Sequence, residues 1–118
     1  MRPTVLIVDD HADFRQAASA LLEAEGFHVV GEAADGEEAV QAVALLRPEI
    51  VLLDIQLPNL DGLAVAEQLS AGADAPAVVL ISSRGADAYG QRLQRSSAKG
   101  FITKSALSGE AIWTLLAS

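Results

Sequence analysis

The sequence predicts a single α/β domain, occupying residues 1–118, in which a five-stranded parallel sheet is covered by helices on both faces. The chain has 118 residues, of which 51% are hydrophobic and 20% charged, a composition typical of one globular domain. Short and wholly apolar runs, such as Val5–Val8 and Ile50–Leu53, indicate strands that are buried on both sides. These runs alternate with segments of helical periodicity. Alternation with short connections favours right-handed crossovers and a three-layer arrangement.

The first half of the chain supplies three strands and two helices. After the strand Val5–Val8, apolar residues spaced by three and four positions from Phe14 to Leu22 predict the first helix. Phe27–Val30 is the second predicted strand, and we expect it near a sheet edge because it is less apolar than the others. A turn at Asp35-Gly36 leads into the second helix, which ends before Pro48 and the third strand.

The second half continues the alternation less regularly. Leu63–Leu69 predicts a short helix, and Ala77–Ile81 is the most apolar strand. Residues 84–96 are expected to form a weak helix at best, because two glycines there each cost up to about 1 kcal/mol. Gly100–Thr103 predicts the last strand, and Ser108 is a candidate N-cap for the final helix.

Charge and composition exclude several classes of function. Sixteen acidic residues against eight basic ones give a net charge of −8, so we expect no direct nucleic-acid binding by this domain. The absence of cysteine excludes disulfides, thiolate metal sites and cysteine nucleophiles. No apolar run approaches the roughly 20 residues of a membrane helix, and the short run near the N-terminus does not resemble a signal peptide. The sequence therefore predicts a cytoplasmic protein without membrane contact.

Polar side chains follow four of the five predicted strands. They are Asp9-Asp10, Asp54, Ser82-Ser83 and Thr103-Lys104. In a parallel sheet these residues meet beyond the carboxyl ends of the strands, where ligands of such folds bind. Three converging carboxylates repel one another unless one is protonated or a cation binds, and oxygen ligands favour Mg²⁺ or Mn²⁺ over zinc. A divalent ion, a lysine and a hydroxyl together suit a phosphoryl group.

Each of these features also has an ordinary structural explanation. An Asp-Asp pair often caps a helix, serines are common in loops, and a lysine at a strand end is usually solvated. His11 is expected in the first turn of the first helix and not as a metal ligand, and His28 on a solvent-facing strand has no assigned role. We favour the functional interpretation because of the joint pattern. The ordinary explanations would all have to apply together, at the ends of four different strands.

The order and spacing of Asp9-Asp10, the segment Asp54–Gly62, Ser82 and Phe101–Lys104 resemble the receiver domain of bacterial two-component response regulators. The sequence of residues 29–40 and 99–105 is similar to that of the NarL/FixJ-like branch, whose members usually carry a helix-turn-helix output domain after the receiver. The resemblance covers essentially the whole chain. It implies a flavodoxin-like, CheY-like fold with strand order 2-1-3-4-5.

The resemblance also implies a role for each residue of the strand-end cluster. Asp54 would accept a phosphoryl group from the phosphohistidine of a sensor histidine kinase, and Lys104 would pair with that group or with Asp54. Ser82 would turn to hydrogen-bond the phosphoryl group, and Phe101 would change rotamer into the vacated space. The implied Mg²⁺ ligands are Asp9, Asp10 (the more direct of the pair), Asp54 and the backbone carbonyl of Gln56. The domain would be a phosphoacceptor that assists its own phosphorylation and dephosphorylation, and not an enzyme.

The sequence departs from the family pattern at three positions. Ser105 stands where many receivers have a proline after the lysine, which puts a cis peptide there in doubt. Ser82 stands where threonine is also common, a mild change, and Phe101 replaces the tyrosine of many members and has no hydroxyl. Gln56 and Arg84 occupy positions at which the family tunes the lifetime of the phosphoryl group.

Charge also divides the chain. Residues 1–75 hold 14 acids and 3 bases, whereas residues 76–118 hold 2 acids and 5 bases. A basic cluster around the fourth helix and fifth strand is either a solvated face or a partner surface for an output domain, a partner protein or a second copy after phosphorylation. Trp113 is an interface anchor or a partly buried core residue. The basic residues concerned are Arg84, Arg92, Arg95 and Lys99.

Three other interpretations are weaker. An aspartate-nucleophile phosphohydrolase of the haloacid dehalogenase type needs a second Asp two residues after the nucleophile, where this chain has Gln56. A dinucleotide-binding module needs a glycine-rich motif after the first strand, which is absent. A degenerate receiver that acts only as a scaffold is disfavoured because every residue of the strand-end cluster is present.

Overall fold

Five parallel strands form one sheet in the order β2-β1-β3-β4-β5 in the computed structural model, which describes residues 2–58 and 60–117. The predicted fold class and strand order are confirmed. The strands are β1 (Thr4–Val8), β2 (His28–Ala33), β3 (Ile50–Asp54), β4 (Ala77–Ser82) and β5 (Gly100–Thr103). The helices are α1 (Ala12–Ala24), α2 (Gly36–Leu46), α3 (Gly62–Leu69), α4 (Gln91–Gln94) and α5 (Gly109–Leu116).

Alternate residues of the central strands feed two separate hydrophobic clusters, one on each face of the sheet. On one face, Ile7 and Leu52 pack with Leu22 of α1 and Ile112 of α5. On the other face, the strand residues between them pack against α2 and α3, and Leu93 of α4 lies at the margin. Complete burial of a leucine or isoleucine side chain contributes about 1.5–3 kcal/mol. The two clusters therefore stabilise the packing of the sheet between its helical layers.

Side-chain caps define where three of the helices begin. Asp35 accepts the Glu38 N–H at the start of α2, and Asp61 accepts the Leu63 N–H at the start of α3. Ser108 accepts the Ala111 N–H at 3.0 Å, so the predicted N-cap of the final helix is confirmed. Each cap satisfies an amide that a helix would otherwise leave without a partner.

The second strand begins later and extends further than the sequence predicts. It runs His28–Ala33 instead of Phe27–Val30, although its place at the sheet edge is confirmed. Phe27 donates its N–H to the carbonyl of Leu22 at the end of α1, and its ring is fully buried. Its backbone therefore closes the helix instead of pairing in the sheet.

The segment after β4 is the least regular part of the domain, as the sequence predicts. A short 3-10 turn at Ala86–Ala88 is followed by Gly90 with a φ of +59° and by the single helical turn of α4. A positive φ favours glycine, and Gly90 separates the 3-10 turn from α4. A second 3-10 turn, Lys104–Ala106, follows β5, and the peptide bond before Ser105 is trans. No helix in the described part of the chain is long and apolar enough to cross a membrane.

Candidate functional site

The carboxyl edge of the sheet brings together acidic, basic and hydroxyl side chains from four strands. Asp54 is the last residue of β3 and is aligned with Ile81, one residue before Ser82 at the end of β4. Ser82 is aligned with Thr103, the last residue of β5. Because all the strands are parallel, Asp9 after β1 and Lys104 after β5 lie at the same edge.

Asp9 is fully buried at the base of this edge. Its Oδ1 accepts the backbone N–H of His11 at 2.8 Å, and its backbone carbonyl accepts a 2.6 Å hydrogen bond from Arg15. Its Oδ2 is buried, and the ammonium of Lys104 lies 2.5 Å away. A buried carboxylate of this kind needs a cation beside it.

His11 belongs to the same cluster, which the sequence did not predict. It is the N-cap residue of α1, one position before the helix, and its Nδ1 lies 3.2 Å from Asp9 Oδ1 and 3.1 Å from Asp10 Oδ1. The side chain of Asp10 is 32% exposed. The signal available in the sequence was only that His11 directly follows the acidic pair.

Asp54 is almost completely buried. Its Oδ1 accepts the Gln56 N–H at 2.9 Å, and its Oδ2 lies 3.3 Å from the Lys104 ammonium. Burial raises the pKa of Asp54, and the Asp9 charge raises it further. The hydrogen bond from Gln56 and the charge of Lys104 oppose this rise without cancelling it.

Lys104 is the cation that holds the two buried carboxylates together. Its side chain is 17% exposed, and its ammonium lies 4.6 Å from the centre of the Phe14 ring. Burial lowers the pKa of Lys104, but the hydrogen bonds and charges of Asp9 and Asp54 exceed this effect, so the pKa is raised. Lys104 is therefore a fixed positive charge at neutral pH.

Gly62 allows the loop after Asp54 to lie against the end of β3. A Cβ built on Gly62 would lie 2.5 Å from Ile55 Cα and 2.6 Å from the Ile55 carbonyl oxygen, distances that real Cβ atoms do not reach. The Gly62 N–H donates to that same carbonyl at 3.0 Å. Gly62 and the capping residue Asp61 thus fix the path of the chain directly after Asp54.

Ser82 is fully buried and bonded to the segment that follows β4. Its Oγ accepts the Arg84 N–H at 3.0 Å and is hydrogen-bonded to the Tyr89 hydroxyl. The Tyr89 ring packs against Phe101, with ring centres 6.2 Å apart and planes inclined by 60°. Sequence reasoning missed Tyr89, because nothing in the spacing of residues 82–89 indicates that the chain turns back onto Ser82.

The donor set at this edge fits a hard divalent cation. Asp9, Asp10, His11 and Asp54 each offer a ligand atom, and these atoms all lie within 4.8 Å of one another. Three are carboxylates, which Mg²⁺ and Mn²⁺ prefer, and the contact of buried Asp9 Oδ2 with the Lys104 ammonium shows that this oxygen faces a positive charge. The N–H of Gln56 donates to Asp54, a member of this donor set. The role of the Gln56 carbonyl as a metal ligand stays a prediction.

Comparison with known proteins identifies the fold and the family. The profile of the response regulator receiver domain matches residues 5–114. This chain belongs to the response regulator receiver family. The receiver domain of NarL from Mycobacterium tuberculosis superposes with a TM-score of 0.84 at 31% identity, over 98% of this chain and 94% of that one. The chemotaxis regulator CheY4 of Vibrio cholerae, at 23% identity, shares the fold with a TM-score of 0.81 over 99% and 98% of the two chains.

Curated relatives of this receiver are longer proteins. The transcriptional regulatory protein PdtaR of Mycobacterium tuberculosis is 35% identical over 100 residues, which cover 85% of this chain and 48% of PdtaR. A protein-glutamate methylesterase/protein-glutamine glutaminase of Myxococcus xanthus is 48% identical over 82 residues, covering 69% of this chain but only 24% of that protein. The chain thus spans half or less of these relatives. The receiver domain is a bacterial two-component signalling module, and domains of this family bind Mg²⁺ at their acidic pocket.

Proposed function

We propose that this receiver accepts a phosphoryl group on Asp54 from the phosphohistidine of a sensor histidine kinase, with Mg²⁺ bound at the acidic cluster. The observation that carries the proposal is the position of the Lys104 ammonium, 2.5 Å from Asp9 Oδ2 and 3.3 Å from Asp54 Oδ2. A buried carboxylate beside a fixed cation and further acidic groups suits the transfer of a metal-bound phosphoryl anion.

In this reaction an oxygen of Asp54 forms a bond to phosphorus while the bond between phosphorus and the histidine nitrogen breaks. The electron pair of the broken bond stays on the imidazole, which leaves as a neutral ring when its other nitrogen carries a proton. The hydrogen bond from Gln56 fixes Oδ1 of Asp54, so the second oxygen, which lies beside Lys104, is the better placed to attack. Lys104 then neutralises part of the charge that arrives with the phosphoryl group.

The metal would be held by Asp9, Asp10 and Asp54, together with the carbonyl of Gln56. Bound Mg²⁺ supplies positive charge to the phosphoryl oxygens and relieves the repulsion among the carboxylates. Asp9 would contribute a buried carboxylate oxygen, and Asp10 would contribute an exposed carboxylate that a hydrated ion can reach. In this proposal the domain is a phosphoacceptor that assists its own phosphorylation and dephosphorylation, and not an enzyme.

Phosphorylation would change the surface formed by α4, β5 and α5. Ser82 and Phe101 would be the switch residues that carry this change. Four basic side chains of this half of the molecule are exposed, as the sequence predicts, and α4 has a single turn that can shift at low cost. The partner that binds this surface would be an output domain of the helix-turn-helix transcription type, another protein, or a second copy of the chain. We also propose that residues 1–118 form one receiver domain and that the protein is cytoplasmic. The exposed basic residues are Arg84, Arg92, Arg95 and Lys99.

Incubation with acetyl phosphate and Mg²⁺, followed by intact mass measurement, tests the phosphoacceptor. The wild type should gain one phosphoryl group, and Asp54→Asn should gain none. Asp74→Asn, which changes an exposed acid far from the cluster, is the matched control and should behave as the wild type. A gain of mass that survives in Asp54→Asn, or no gain in the wild type, would contradict the proposal.

A further inference from the structure

We propose that Tyr89 is a positioning residue of the switch: its hydroxyl holds Ser82 in the unphosphorylated state and is released when Ser82 turns to a phosphoryl group on Asp54. This inference rests on the proposed function, because it needs a phosphoryl group at Asp54. It adds a residue from the segment after β4 to the pair, Ser82 and Phe101, that the sequence suggests.

The first support is the way the Ser82 hydroxyl is used. A serine hydroxyl has one hydrogen to donate and two acceptor positions. The Arg84 N–H and the Tyr89 hydroxyl are its partners, and both belong to the segment that follows β4. Oγ is therefore bonded to that segment, and rotation toward a phosphoryl group on Asp54 would break both bonds.

The second support is the chemistry of the two aromatic side chains. Phe101, on β5, has no polar group, so it cannot compete for Ser82. Tyr89 packs its ring against Phe101 and directs its hydroxyl to Ser82, so one residue contacts both members of the predicted switch. Movement of Ser82 therefore removes the polar anchor of Tyr89 and leaves only its ring packing.

The third support is the irregular backbone that carries Tyr89. It follows the 3-10 turn Ala86–Ala88 and precedes Gly90, whose φ is +59°. None of the residues of that turn is buried. The same region is also tied to the loop after Asp54 by the ion pair between Arg92 of α4 and Asp61. Release of Tyr89 would therefore remove one of the attachments of residues 86–94, while the ion pair of Arg92 and the packing of Leu93 against the core would remain.

Beryllofluoride, a stable mimic of the phosphoryl group, gives a quantitative test in the presence of Mg²⁺. We expect Tyr89→Phe, which keeps the ring, to bind beryllofluoride about fivefold more tightly than the wild type, because the unliganded state loses one hydrogen bond. In a Ser82→Ala background the same substitution should change the affinity by less than about twofold, because the partner is already absent. Affinities are measured for all four proteins from the fluorine NMR signal of the bound mimic.

A spectroscopic readout separates this role from a merely structural one. Tyr89 is the only tyrosine in the sequence, so 3-fluorotyrosine labelling gives a single protein resonance. Beryllofluoride should move this resonance toward the position that it has in unliganded Ser82→Ala. An unmoved resonance, an unchanged or weaker affinity in Tyr89→Phe, or an equal gain in the Ser82→Ala background would overturn the inference while the proposed function stands. No beryllofluoride binding by the wild type would overturn both.

Discussion

The ammonium of Lys104 lies 2.5 Å from Asp9 Oδ2, a buried carboxylate oxygen. The contact joins the turn after β5 to the end of β1. It makes Lys104 a structural cation as well as a candidate ligand of the phosphoryl group. Removal of either charge leaves the other one poorly solvated.

Lys104→Met should lower the free energy of unfolding by about 2 kcal/mol in the absence of divalent ions, because it leaves two buried carboxylates without their cation. Added Mg²⁺ should restore more stability to this variant than to the wild type, since the ion replaces the lost charge. Urea denaturation with and without Mg²⁺ measures both effects. Lys99→Met, at an exposed lysine, is the control and should change little. Equal effects of the two substitutions would contradict this account of Lys104.

Asp54→Asn should stabilise the metal-free domain at neutral pH by about 1 kcal/mol, because burial and the Asp9 charge raise the pKa of Asp54 and make its ionised form unfavourable in the folded state. The unfolded chain ionises first as the pH rises. The wild type therefore loses stability relative to the variant between the ordinary pKa of 3.8 and the raised folded value.

Urea denaturation of both proteins at a series of pH values tests this dependence. Their difference in unfolding free energy should be largest near neutrality and should shrink as the pH falls through the raised pKa of Asp54. Mg²⁺ should reverse the order, because it favours the ionised wild-type carboxylate. A difference that is independent of pH would show that the charge of Asp54 is not its origin.

Gly62→Ala should destabilise the domain by about 2 kcal/mol, because the new methyl group would collide with the backbone around Ile55. It should also slow phosphorylation by acetyl phosphate, since the chain directly after Asp54 must shift. Gly72→Ala is the matched control, because a Cβ there meets no atom within 4 Å. Its unfolding free energy should stay within about 0.5 kcal/mol of the wild type. Comparable losses in the two variants would refute the steric explanation.

The sequence predicts most of the fold because the central strands are wholly apolar. Runs such as Val5–Val8 and Ala77–Ile81 can only be buried between two layers, and the helical segments between them supply those layers. The order of the strands came from the family resemblance and not from the runs themselves. The predicted start of β2 was wrong because the N–H of Phe27 donates to a carbonyl of α1 and not to the sheet. Hydrophobic periodicity does not report such a local hydrogen bond.

The candidate site could be predicted as far as strand ends determine it. The parallel sheet brings Asp9, Asp54, Ser82 and Lys104 to one edge, and this follows from their positions after the strands. The contact between Tyr89 and Ser82 could not be predicted, because it depends on the path of an irregular segment. The same is true of His11, whose ring position depends on how α1 begins.

Glu67 links α3 to the segment between α4 and β5, and its charge should make that link sensitive to pH. The carboxylate accepts the Ser97 N–H and the Ser97 hydroxyl, each at 2.7 Å, and the Ser96 hydroxyl at 3.3 Å. The Ser97 backbone hydrogen bond, followed by the Ser97 hydroxyl, lowers the pKa of Glu67. The stabilisation is therefore fully present above the ordinary value of 4.5 and is lost as the pH falls through the lowered pKa.

Glu67→Gln should accelerate hydrogen exchange of the Ser97 amide at neutral pH, because a neutral amide oxygen accepts a weaker hydrogen bond than a carboxylate does. Amides in the central strands should exchange as in the wild type, since the contact lies at the surface. Glu37→Gln, at an exposed acid on α2, is the control and should leave the Ser97 amide unchanged. If exchange at Ser97 is equally slow in all three proteins, the Glu67 carboxylate does not hold this segment. The mobility of α4 would then be limited at this side by the pair of Arg92 and Asp61.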